Sequence, residues 1–192
     1  MNKESSVKKL EEAYEVILSS LPLTEEGVQK TPFRAAKAFR ELCWGYFVSP
    51  ETAIGGGVFP YSGDGIVYVR NIEICSLCEH HLLPFIGNCA IAYIPHQKIL
   101  GLSKLKRVTE VFSRRLQVQE RLTDQIAQAI HKCIEPKGVL VVVKSTHLCM
   151  KMRGVCEKDS QTVTVASLGE FKSNSSLRAQ YVQESLSCTG KL

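Results

Sequence analysis

The chain has 192 residues, 44% hydrophobic and 22% charged, and 24 basic against 19 acidic side chains give a net charge of +5. That balance describes an ordinary globular chain with room for one substantial core, and the charge is too modest to name a nucleic-acid partner. No apolar run approaches the roughly 20 residues of a membrane span, and eight cysteines behind a polar start without an apolar signal core point to a reducing, cytoplasmic setting rather than a secreted disulfide scaffold.

In chain order, Val7, Leu10, Tyr14, Ile17 and Leu18 recur at helical spacing, which predicts an amphipathic helix ending near Leu21-Pro22. Thr31-Pro32 begins a second helix, with Thr31 expected as N-cap, Pro32 at the first helical position and Gly45 as the stop. Residues 1–48 therefore read as an N-terminal helical region, and 49–192 as the main domain. The stretch 50–65, with Gly55-Gly56-Gly57, reads as an irregular connection; no Gly-Lys-Ser/Thr follows, which argues against a phosphate-cradling loop.

Residues 66–74 and 86–94 are rich in β-branched and aromatic side chains and predict two strands, the second stopped by Pro95. Between them lies Cys75-Ser-Leu-Cys78-Glu79-His80-His81, expected in the connection. Ser103 is placed as the cap of a helix running through Leu105, Val108, Val111 and Phe112 to about Leu116, and a second helix runs from about Gln119 to Lys132. Basic charge gathers at Lys104, Lys106, Arg107, Arg114 and Arg115. After a turn at 136–138, Val139 to Val143 form a continuous apolar run that suits a strand buried on both faces, with His147 and Cys149 at its outgoing end. Residues 160–166 alternate and should pair beside it. Leu177, Tyr181, Val182 and Leu186 suggest a last amphipathic helix, with 187–192 frayed. The order of elements predicts an α+β fold with a mainly antiparallel sheet and its helices on one side. Cys43, Cys89 and Cys133 sit in apolar patterns and read as core residues.

Thiols and imidazoles are the ligands zinc prefers, and Cys78-x-x-His81 can aim both side chains at one ion from a single turn. In His147-x-Cys149 the spacing of two would place both on one face of an extended strand. The two segments are expected to meet around one zinc. Spacing alone leaves two arrangements. Cys75 could close a four-ligand structural site with Cys78, His81 and Cys149, or it could be the last core residue of its strand and leave an open, catalytic site. His80 and His147 favour the open site, because their ordinary pKa of about 6.5 suits proton transfer near neutrality.

Cys78-Glu-His-His81, Gly101-Leu-Ser-Lys-Leu105, Gln117-Val-Gln-Glu-Arg-Leu-Thr123, His147-Leu-Cys-Met150 with Arg153-Gly154, and Thr162-Val-Thr164 before Leu168-Gly169 resemble the GTP cyclohydrolase I family, in the family's order. The resemblance implies the tunnelling fold, in which subunits join their sheets into a barrel and stack as a homodecamer with active sites between subunits. It implies one Zn2+ per subunit on Cys78, His81 and Cys149, with the fourth position left to water. It also implies hydrolytic opening of the guanine imidazole ring of GTP at C8, with His147 protonating N7 and His80 as a second proton carrier near the ribose. Formate and 7,8-dihydroneopterin triphosphate are the implied products, a first step of pterin or folate-type biosynthesis. Glu120 would hold the guanine edge, helped by the backbone around Gln119; Ser103, Lys104, Arg107 and Arg153 would face ribose and triphosphate, and Arg34 would reach phosphate from a neighbouring subunit. Glu79 is expected to orient a ligand or a catalytic histidine. Cys75 and Cys156 lie outside the family's pattern. Two rival readings are a silent homologue that binds GTP or a pterin, and a structural-zinc interaction module.

Overall fold

The computed structural model describes residues 3–187. In order, the elements are α1 (Lys3–Ser19), a 3-10 turn (Glu26–Val28), α2 (Thr31–Leu42), a second 3-10 turn (Trp44–Phe47), α3 (Pro50–Ile54), β1 (Val58–Pro60), β2 (Val67–Cys78), β3 (Pro84–Ile94), β4 (Lys98–Leu100), α4 (Leu102–Ser113), β5 (Leu116–Gln117), α5 (Gln119–Ile134), β6 (Gly138–His147), α6 (Leu148–Lys151), β7 (Thr162–Gly169), α7 (Glu170–Ser173) and α8 (Ser175–Ser187). The fold is α+β. The frayed end expected over 187–192 lies, beyond Ser187, outside the described residues.

The chain divides into two compact units, Met1–Trp44 and Gly45–Leu192. In the first, α1 and α2 form a helical pair. Thr31 is not the cap of α2. The Lys30 carbonyl accepts the first helical bond, from the Arg34 N–H, so Thr31 already sits in the first turn and no side chain caps it.

In the second unit a five-stranded sheet has the order β5-β2-β3-β6-β7. The β2–β3, β3–β6 and β6–β7 pairs are antiparallel, and β5 runs parallel to the end of β2. One register shift sets which side chains of β2 face the core. Between Val69 and Ile72 the β2–β3 ladder slips by one residue at a bulge, where Asn71 takes φ +57°. Before the bulge Val67 and Val69 face the main core; after it the even-numbered Ile72 and Ile74, opposite Cys89 and Gly87, and Cys78 at the strand end do. Because side chains alternate with a period of two, the extra residue turns Cys78 inward and Cys75 to the other face.

The expectation of helices on one side of the sheet is corrected. The α4 and α5 side chains Leu105, Val108, Leu122, Ile126 and Ile130 pack on Cys89, Ile91, Tyr93, Val139, Val141 and Val143. The alternate residues Ala90, Ala92, Ile94, Leu140 and Val142 form a second cluster with Phe171 of α7 and Leu177, Tyr181, Val182 and Leu186 of α8. The reason is the continuous apolar run in β3 and β6: a strand that is apolar on both faces needs a cover on each. Two helix boundaries also differ. Ser103 does not cap α4, because Gly101 holds the non-helical cap position and helix begins at Leu102. That helix stops at Ser113 rather than near Leu116, since Leu116 and Gln117 leave it to pair with Leu77 and Cys78.

Candidate metal centre and nucleotide site

Cys78 is the last residue of β2, so the cysteine–histidine stretch straddles the strand end instead of lying wholly in the connection. Its carbonyl accepts the N–H groups of His81 at 3.3 Å and Leu82 at 2.8 Å, which winds one tight turn and brings His81 back over Cys78. Leu82 closes the turn at φ +56°. The downstream segment arrives by register: His147 at the end of β6 pairs with Phe85 at the start of β3. Beyond His147 the chain is not extended, because Cys149 lies in the single helical turn α6. The same-face strand geometry expected for His147 and Cys149 is therefore replaced by a strand end and a helical turn.

The result places one donor atom each of Cys78, His81 and Cys149 within 4.8 Å of one another. Two sulfurs and an imidazole form a donor set suited to Zn2+. Burial raises the Cys149 thiol pKa, and the neighbouring Cys78 raises it further, with Arg153 opposing. Two adjacent thiols resist ionising together, and a divalent cation between them reverses that penalty, so the residues fit a metal. Cys75 lies on the opposite face of β2, paired with Ile86, and takes no part in the group.

Around this group stand several expected residues. The His80 Nδ1 is 3.8 Å from the Cys78 sulfur, and its Nε2 is 3.9 Å from the Glu79 carboxylate. Glu79 also makes an ion pair with Arg121, whose hydrogen bond holds the Glu79 carboxyl below its usual range. Arg153 donates to His81 Nε2 at 3.1 Å.

His147 stacks on Phe85, with ring centroids 4.5 Å apart and planes 8° from parallel. Burial lowers its pKa, and the nearby Glu120 carboxylate opposes the shift. Its Nε2 lies 2.9 Å from the Gln119 Oε1. Gln119 is buried, and the two hydrogens of its amide nitrogen are shared among three acceptors, the Val143 carbonyl (3.0 Å), the Thr162 carbonyl (3.1 Å) and Thr164 Oγ1 (3.1 Å). Those two carbonyls can only accept, so the amide cannot turn round, and its oxygen must face His147. His147 therefore carries its hydrogen on Nε2, which leaves Nδ1 as the nitrogen free to exchange a proton. Ser145 donates to the same Gln119 oxygen. Sequence reasoning gave Gln119 a backbone role only and missed this side-chain network, along with Phe85 and Arg121. The polar Thr162 and Thr164, alternating with the exposed Val163 and Val165, were the available signal.

Glu120 is exposed in the first turn of α5. Ser103, Lys104 and Arg107 share the first turns of α4, and Arg34 lies on α2 in the N-terminal unit. Among the described residues no helix is long and apolar enough to cross a membrane.

Residues 10–185 match the family model of GTP cyclohydrolase I. The chain is 51% identical over 157 residues to a GTP cyclohydrolase 1 of Leptospira biflexa, covering 82% of this chain and 86% of the relative. It is 49% identical over 160 residues to that of Methylococcus capsulatus, covering 83% and 86%. A protein of Pseudomonas aeruginosa named GTP cyclohydrolase 1 2 is 46% identical over 175 residues, covering 90% and 97%.

Proposed function

The chain belongs to the GTP cyclohydrolase I family and is a GTP cyclohydrolase, and from that premise we propose how its own residues perform the reaction. Cys78, His81 and Cys149 hold one Zn2+. When bound through three protein ligands, zinc acts as a Lewis acid and lowers the pKa of water toward neutrality. The observation that carries this assignment is the convergence of these three donors, without Cys75, beside a histidine whose free nitrogen is fixed by Gln119.

Glu120 accepts two adjacent N–H groups from the guanine edge, a pattern adenine does not offer, and so selects the base. Lys104, Arg107 and Arg153, joined by Arg34 of a neighbouring subunit, neutralise the triphosphate with charge-assisted hydrogen bonds, and Ser103 bonds the ribose or a phosphate oxygen. As the imidazolium, His147 delivers its Nδ1 proton to N7 while water adds at C8, returning to the neutral ring with its hydrogen on Nε2, and the purine imidazole ring opens to a formamide. A second water releases formate. His80 carries protons beside the ribose as it opens and rearranges, and closure of the pterin ring expels one water, giving 7,8-dihydroneopterin triphosphate. Glu79 holds Arg121 and lies beside His80, which suits it to orient that imidazole.

The tunnelling fold, with sheets of neighbouring subunits joined into a barrel within a homodecamer, is part of the same reading. It is supported by the outer edge of β7, which has no strand partner among the described residues, and by exposed Ile86, Val163 and Val165 on the sheet. The reaction is tested by GTP turnover on purified protein, following formate and the fluorescence of oxidised pterin with and without a zinc chelator. Chelator-sensitive formation of both products is expected; zinc-loaded protein that makes neither is a silent homologue or a structural-zinc module.

A further inference from the structure

Of the three consecutive glycines before β1, Gly55 and Gly56 are exposed and Gly57 is buried. Gly57 is not among the residues with positive φ, so its backbone does not require glycine. What it requires is space. A Cβ on Gly57 would lie 2.6 Å from Lys104 Cγ and 2.9 Å from Cδ, and would overlap Cε most of all. The lysine stem is thus laid along the glycine. Gly101, whose N–H donates to the Gly57 carbonyl at 2.9 Å, extends the same floor, since its own Cβ would come 3.7 Å from Lys104 Cγ. The pairing of Val58 with Leu100 locks the two glycines side by side. Lys104 is half-buried by this packing, and among the described residues its ammonium has no carboxylate partner. A cation with an anchored stem and an uncommitted charge is prepared for an anion brought by a ligand.

We propose that Gly57 is a positioning residue for Lys104: the floor made by Gly57 and Gly101 fixes the lysine stem and aims its ammonium at the triphosphate of GTP. The inference rests on the reading of Lys104 as a triphosphate ligand. A flexible lysine loses rotamer freedom when it grips a phosphate, and a stem already laid down loses less. Because the overlap at position 57 is with a movable side chain, a methyl there displaces the stem and leaves the backbone in place.

The test uses full-length, zinc-loaded protein and compares Gly57→Ala, Lys104→Ala, the double variant and Gly56→Ala, whose added Cβ meets nothing within 4 Å. Each is measured for KM, kcat, zinc content and melting temperature. Gly57→Ala is expected to raise the KM for GTP about three- to tenfold with kcat within about twofold, the pattern of lost ground-state binding. Zinc content and the Gly56→Ala kinetics should match the parent. Adding Gly57→Ala to Lys104→Ala should change KM no further. If Lys104→Ala raises KM but Gly57→Ala does not, or if the two effects add, the floor plays no part and only the lysine assignment survives. An unchanged KM in Lys104→Ala removes the triphosphate role of Lys104, and the inference with it. Should Gly57→Ala melt early, rescue by Lys104→Ala supports the contact, and failure to rescue assigns Gly57 to the β1–β4 junction instead.

Discussion

Gln119 links two residues with different tasks. Its side chain fixes the ring of His147 through Oε1, while its neighbour Glu120 stays exposed at the same helix start and acts on His147 through charge. On the proposed reading, metal binding and proton transfer are nevertheless separable, because the sulfurs of the candidate metal group belong to Cys78 and Cys149 and the proposed proton carrier, His147, is a different side chain. Replacing Cys149 with Ala should remove zinc and activity together. His147→Ala should keep zinc, measured by elemental analysis, and GTP binding, measured by calorimetry, while formate release falls by about 10²-fold or more, the usual scale for a lost general acid. Normal turnover in His147→Ala would reassign the proton transfer. The ligand types were readable in the sequence, since few other patterns crowd cysteine and histidine so tightly. The buried hub at Gln119 was not, because its partners come from β6 and β7, between 24 and 45 residues away.

At the scale of elements, the bulge in β2 decides which cysteine faces the core. Asn71 sits in the left-handed region, where asparagine is tolerated and β-branched side chains are not. Asn71→Gly should leave stability nearly unchanged, whereas Asn71→Val should cost about 1–2 kcal/mol in chemical denaturation. Equal stability of the two variants would show that the bulge does not depend on that conformation. The elements themselves were legible as helix or strand from their periodicity. Their ends were not: α4 begins at Leu102 because Gly101 is tied to Gly57, and it ends at Ser113 because β5 pairs with β2. Such long-range bonds override local capping signals.

At the scale of the whole molecule, the sheet is covered by α4 and α5 on one face and by α7 and α8 on part of the other. Val163 and Val165 on β7 are 41% and 43% exposed, and the outer edge of β7 is unpaired among the described residues. An uncovered apolar edge strand invites pairing with another chain. If this edge joins neighbouring subunits, Val165→Lys should shift the molar mass measured by light scattering toward smaller species while the protein stays folded by circular dichroism. An unchanged mass would place the joint elsewhere.

The α+β class, the double-sided burial of the run from Val139 to Val143 and the crowding of thiol and imidazole donors around Cys78 and Cys149 were legible in the sequence, because periodicity and donor type are local properties. Three features emerge from the folded chain alone: Cys75 turns away from the metal group, α7 and α8 cover the second sheet face, and a buried glutamine holds His147. The first depends on strand register, since one bulge residue is enough to exchange the two faces of a strand, and the others depend on contacts between elements far apart in the chain.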